Sequence, residues 1–268
     1  MKVLSRIYAS LSLLSNTREG SYSMAVLPLI IASLFVLYVV FVRPLLRRKQ
    51  YQEFSKKARA NSALRSRYYL RSVFTLWTWF VVIGIILQIG SVPPSMLGLR
   101  MPDDWGTTLL FIGEVVVLLP IVSVVLVRRI EKTRRPGLAR LLLELKELLP
   151  HTSRESRLWL LLSFSAGICE ELLFRGFLPW YFLVLGPLLG LQVSVLAAFI
   201  LSSILFGFAH VYQGWKGAVG TGLMGALLAY LYFSTGSLIL PIVCHILIDA
   251  RIVLFAPVLL RLDRLKGA

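Results

Sequence analysis

The chain has 268 residues, of which 57% are hydrophobic and 16% charged, with a mean hydropathy of +0.77 and a formal net charge of +16. A soluble domain carries about 45–50% apolar and about 25% charged residues. This composition therefore excludes a cytosolic enzyme, a disulfide-stapled secreted domain and a disordered tail, and points to an integral membrane protein.

In chain order, the first 22 residues carry Lys2 and Arg6 ahead of a short apolar stretch interrupted by serines. No small-residue cleavage pattern follows, so this segment reads as retained and interfacial and not as a signal peptide. Apolar runs then fall near 24–42, 72–89, 107–127, 158–185, 191–210, 218–233 and 238–260. Several approach the length that crosses about 30 Å of hydrocarbon. They predict an all-α polytopic bundle of seven spans, or eight if Gly176 and Pro179 divide the overlong fourth run. Residues 137–149 read as an amphipathic helix lying on the cytoplasmic face, with Arg140, Glu144 and Glu147 on one side. The sixth run is rich in glycine (Gly217, Gly220, Gly222, Gly225), which suits close helix packing or room for a ligand.

The positive charge is concentrated between the runs. Residues 43–71 hold ten Lys/Arg against Glu53, residues 128–157 nine against four acids, and the tail 261–268 three against Asp263. This is the positive-inside pattern. It places the N-terminus outside and the C-terminus in the cytoplasm, with anionic lipid as the partner of the charge and no nucleic acid.

Ionisable side chains inside apolar runs are costly and mark functional sites. Here they are Glu114, Glu170, Glu171, Arg175, His210, His245, Asp249 and Arg251. Glu171 and Arg175 are four apart and can pair on one helix face. Glu170 is rotated by about 100° from Glu171 and stays free. His245 and Asp249 share a face, as do Phe206 and His210. If these faces converge, the set can activate water: a carboxylate in low dielectric takes a proton readily, a histidine shares that work, and a second donor holds an oxyanion. Helix-gluing hydrogen bonds or an ion path would use the same residues. A scaffold and an ion-coupled transporter therefore stay open beside a hydrolase. His210 stands at the cytoplasmic end of its run, so either that helix continues past Tyr212 or the site opens toward the cytoplasm. There is no H-E-x-x-H, no G-x-S-x-G and no duplicated half. Glu114 either pairs with Arg251 or reaches the cavity. Cys169 and Cys244, each next to a motif residue, read as small apolar filler.

Three stretches resemble the motifs of one family: Glu170-Glu171-Leu172-Leu173-Phe174-Arg175, Phe206-Gly207-Phe208-Ala209-His210 and His245-Ile246-Leu247-Ile248-Asp249. They are similar to E-E-x-x-x-R, F-x-x-x-H and H-x-x-x-N/D of the CAAX protease and bacteriocin-processing (CPBP, or Abi) family of intramembrane endopeptidases. The resemblance covers the last four spans. It implies a catalytic core over 158–260, preceded by three spans with two basic loops over 23–157. It also implies peptide-bond hydrolysis in a membrane-associated peptide or protein substrate. Glu170 and His210 would activate water, His245 and Asp249 would stabilise the oxyanion, and Glu171, Arg175 and Phe206 would brace the site. Asp249 stands where the CAAX-processing branch usually has Asn, so it either donates while protonated or orients His245. No cofactor is expected; were zinc used, Glu170, His210 and His245 would be its ligands. A non-catalytic immunity protein of the same fold is the alternative.

Overall fold

A computed structural model describes residues 22–58, 61–102, 104–133 and 146–266. Among these residues the regular structure is entirely helical. In chain order the helices are α1 (Tyr22–Leu37), α2 (Arg43–Ala58), α3 (Ser62–Ile89), α4 (Trp105–Thr133), α5 (Ser153–Glu171), α6 (Leu178–Leu188), α7 (Val195–Ala209), α8 (Gly214–Thr235), α9 (Ile239–Ala250) and α10 (Ile252–Lys266). Five described stretches are long and apolar enough to cross a bilayer: Val26–Ser55, Ser62–Ile89, Thr108–Val125, Val211–Thr235 and Ile239–Arg261. The chain is an all-α membrane helix bundle.

The expected fourth and fifth runs are absent from that set for physical reasons. The fourth carries Glu170, Glu171 and Arg175 in its middle. The fifth is realised as α7, which is only 15 residues long. Nor does the fourth run divide into two. α5 passes into α6 through a π-helical segment, Leu172–Phe177. Pro179 lacks the N–H that would return to the Arg175 carbonyl, and its ring crowds that carbonyl. The helix widens instead of breaking. The Leu178 N–H reaches back to the Leu173 carbonyl, and the Ser202 hydroxyl of α7 donates to the Phe174 carbonyl. Pro44 acts in the same way between α1 and α2, where Tyr38–Val42 is π-helical and the Arg43 N–H returns to Tyr38 O. The expected amphipathic helix at 137–149 lies mostly outside the described residues, and its end, Lys146–Leu148, is a 3-10 turn. Residues 1–21 also lie outside them.

α5 packs between α3 and α9, and α8 lies along α7. Small residues set these distances. A Cβ on Gly167 would stand 2.4 Å from Ile246 Cγ1, and one on Gly207 would stand 2.6 Å from the Ala218 carbonyl. Such glycines let helix backbones approach where lipid gives no hydrophobic drive to associate.

The two ends of the bundle are pinned differently. At the basic end, Arg65 Nε and Glu155 Oε1 pair at 3.1 Å, both buried. Thr152 caps α5 by accepting from the Glu155 N–H at 3.2 Å, and Glu155 Oε2 accepts from the His151 N–H at 2.7 Å. Tyr69 donates to Leu148 O at 2.6 Å. At the opposite end, the α3–α4 connection is clasped to the α8–α9 turn. Arg100 Nε donates to Gly236 O at 2.8 Å, Ser237 Oγ to Arg100 O at 2.7 Å, and Leu238 N to Gly98 O at 3.0 Å. Gly98 is required there: its φ is +81°, and a Cβ would overlap the Tyr232 ring.

Candidate active site

The three motif faces converge. Glu170 and Glu171 end α5, Arg175 lies in the π segment, Phe206 is on α7, and His245 and Asp249 are on α9. His210 caps the C-terminus of α7, which stops at Ala209 and turns through Val211–Gln213. The α7 helix therefore does not continue past Tyr212.

Glu171 is the buried hub. Its Oε1 accepts from Arg175 Nη1 at 2.8 Å and from His245 Nδ1 at 2.6 Å. Arg175 is 1% exposed, and its guanidinium stacks over the Phe206 ring at 4.3 Å. The Phe206 ring also stands edge-on to His210 and His245, with centroids at 4.9 and 6.0 Å. Gly225 of α8 makes room for this stack, since a Cβ there would lie 3.0 Å from both Arg175 Nη2 and Phe206 Cδ1.

Glu170 is free of these contacts and faces two imidazoles. Its Oε2 lies 3.9 Å from His210 Nε2 and 4.0 Å from His245 Nε2. His210 Nδ1 is 2.9 Å from the Phe206 carbonyl. A carbonyl can only accept, so Nδ1 carries a proton and Nε2 turns toward Glu170. His245 is fixed the same way by Glu171, and its Nε2 also turns toward the centre. The His245–Asp249 contact is loose: Oδ2 stands 3.7 Å from Nε2, beyond hydrogen-bond length, and the Asp249 side chain is 39% exposed.

Glu170, Phe206, His210, His245 and Asp249 line a cavity of about 410 Å³. Its mouth carries side chains from outside the motifs: Arg43 and Arg47 of α2, Tyr212, Lys216 and Arg251. The motif pattern did not include them. Trp159 was missed too; its Nε1 donates to the Asp249 carbonyl at 2.9 Å, fixing the end of α9. A detectable signal for the arginines was their spacing, since Arg43 and Arg47 are four apart and share a face. Glu114 is exposed on α4, does not line the cavity and makes no ion pair with Arg251. Cys169 and Cys244 are buried among apolar side chains away from the cavity.

The donors do not fit a zinc centre as placed. Zinc–ligand bonds of about 2.0–2.1 Å hold neighbouring donor atoms roughly 3.3 Å apart in a tetrahedron, closer than the 3.9 and 4.0 Å separations here. Among the described residues, no three His, Cys, Asp or Glu side chains are grouped so as to hold a metal ion.

Comparison with known proteins finds one family. Residues 153–251 match the family described as type II CAAX prenyl endopeptidase, Rce1-like. No curated protein and no solved structure matches the chain. The matched segment begins at the first residue of α5 and ends at the turn after α9, so it contains all seven motif residues.

Proposed function

We propose, on the premise that residues 153–251 are an Rce1-like type II CAAX prenyl endopeptidase domain, that this membrane endopeptidase cleaves with water activated by Glu170 and His210. The observation that carries the reading is the 3.9 Å between Glu170 Oε2 and His210 Nε2. One oxygen about 2.8 Å from each would bridge them.

In this mechanism the water oxygen attacks the scissile carbonyl carbon and its proton passes to Glu170, while His210 Nε2 accepts the second hydrogen bond. The carbonyl oxygen becomes an oxyanion, held by His245 as an imidazolium whose Nδ1–H is on Glu171 and whose Nε2–H is on the oxyanion. Collapse breaks the C–N bond, and Glu170 returns the proton to the leaving amine. Glu171 keeps His245 aimed, Arg175 balances the Glu171 charge, and Asp249 adds negative charge on the cavity side of His245. No metal enters any step. The basic end of the bundle faces the cytoplasm and anionic lipid, and the substrate is a membrane-associated peptide or protein that reaches the site from that side.

The test uses the purified full chain in liposomes with a prenylated CAAX peptide. Glu170→Gln and His210→Ala are each expected to lower kcat/KM by about 100-fold or more, and cleavage is expected to survive a chelator. Cleavage that persists in both variants would overturn the assignment. Loss with chelator and restoration by Zn²⁺ would replace it with a metallopeptidase.

A further inference from the structure

We propose that Arg47 is a specificity residue that binds a carboxylate of the peptide substrate beside the reacting groups. The inference rests on the peptidase reading above and names what the cavity mouth recognises. Arg47 lies on α2, outside the matched segment, and no motif includes it.

Charge in the cavity is unbalanced. Four cations line it, Arg43, Arg47, Lys216 and Arg251, against two carboxylates, Glu170 and Asp249. Among the described residues none of the four makes an ion pair with a carboxylate; Arg43 only reaches the Gln50 amide at 3.4 Å. The chain neutralises its other inward arginines: Arg65 with Glu155 and Arg175 with Glu171. Arg47 is instead held by an aromatic face. Its guanidinium carbon sits 4.1 Å over the Tyr212 ring, and that ring lies 5.8 Å from the His210 ring.

Stacking engages a guanidinium face and the Tyr68 hydroxyl lies at one edge, while a guanidinium has five N–H donors and keeps a further in-plane fork. That fork matches a carboxylate through two parallel hydrogen bonds. Orientation by positive-inside charge explains exposed neighbours such as Arg48 and Lys49. It does not explain a half-buried arginine laid on the aromatic ring next to a catalytic histidine. A carboxylate bound there would anchor the substrate while its scissile carbonyl reaches Glu170. The carboxylate can be the peptide's C-terminus or an acidic side chain.

The experiment compares three peptides that share one cleavage site: a free C-terminal acid, the C-terminal amide, and the amide with a glutamate placed on the leaving side. Wild type, Arg47→Ala and Arg47→Lys are assayed for cleavage in phosphatidylcholine liposomes. Binding of the same peptides to Glu170→Gln is measured alongside. Wild type is expected to favour a carboxylate peptide over the plain amide by about 10- to 100-fold in kcat/KM, mostly through KM. Arg47→Ala is expected to lower kcat/KM on the carboxylate peptide to about the plain-amide level, and a melting temperature like that of wild type shows that it folds. Arg47→Lys keeps part of the preference. Whichever carboxylate peptide is favoured identifies the source of the anion. Equal handling of acid and amide by wild type would overturn the inference. So would an equal loss on all three peptides in Arg47→Ala, the signature of a lipid-phosphate contact. If wild type cleaves nothing, the peptidase reading fails, and comparing peptide binding by Glu170→Gln with binding by Glu170→Gln/Arg47→Ala still decides the role of Arg47.

Discussion

Glu171 concentrates three charges in a place with almost no water. Its carboxylate, Arg175 and His245 share one oxygen, and removing a single partner strands the others. Arg175→Met is expected to cost about 3–5 kcal/mol, because it leaves a buried carboxylate facing an imidazole. The double variant Glu171→Gln/Arg175→Met should recover much of that loss in thermal unfolding while remaining inactive, since His245 is then no longer aimed. A double variant no more stable than Arg175→Met would contradict this account. Much at this scale was legible. Four-residue spacing gives the Glu171–Arg175 pair, and the 100° offset leaves Glu170 free, as found. What spacing cannot give is a contact between helices. It placed His245 and Asp249 on one face, but did not show that His245 Nδ1 is taken by Glu171 on another helix, with Asp249 3.7 Å from Nε2.

At the scale of elements, the π segment Leu172–Phe177 sets the direction of Arg175 relative to Glu170 and Glu171. Wide turns of this kind cost hydrogen-bond geometry and recur at functional sites. Here Pro179 imposes the turn, and the Ser202 hydroxyl satisfies the carbonyl left over. Pro179→Ala restores the missing N–H and favours a regular helix, which rotates Arg175 away from Glu171. Activity is expected to fall by about tenfold or more, while the melting temperature stays the same or rises. Unchanged kcat/KM would separate the widened turn from catalysis. The sequence displayed the breakers, Gly176 and Pro179, but not the remedy. A break and a widened turn differ only in whether another helix supplies a donor to the freed carbonyl. The seventh run behaves conversely: its continuous apolar character hides the turn at Arg251 that separates α9 from α10.

Across the whole molecule, the basic end is fastened by Glu155, which lies ahead of the apolar run beginning at Leu158. Burial disfavours its ionised form, but hydrogen bonds from Ser62, the His151 N–H and Arg65, with the charge of Arg65, outweigh this and hold its carboxyl below the usual carboxylate range. A lowered folded value means that the stabilisation is complete above the unfolded pKa and disappears as pH falls through the folded one. The melting temperature should therefore drop on acidification below about pH 4–5, and more steeply in wild type than in Glu155→Gln. Parallel curves would remove Glu155 from the account. The bundle class was legible from hydropathy, and the first charge block holds Arg43 and Arg47, which line the cavity. The cavity itself was not legible, because α2 and α3 contribute to it through no motif at all.

The clasp at the opposite end has a consequence of its own. Arg100, Gly98, Gly236, Ser237 and Leu238 close that face with hydrogen bonds to backbone carbonyls, and none of them lines the cavity. A hydrolase lodged in a bilayer must admit water to its scissile bond, yet a continuous wet path would discharge the ion gradients that the membrane maintains. A vestibule filled from one leaflet and stopped at the other delivers the reagent while the barrier stays electrically tight.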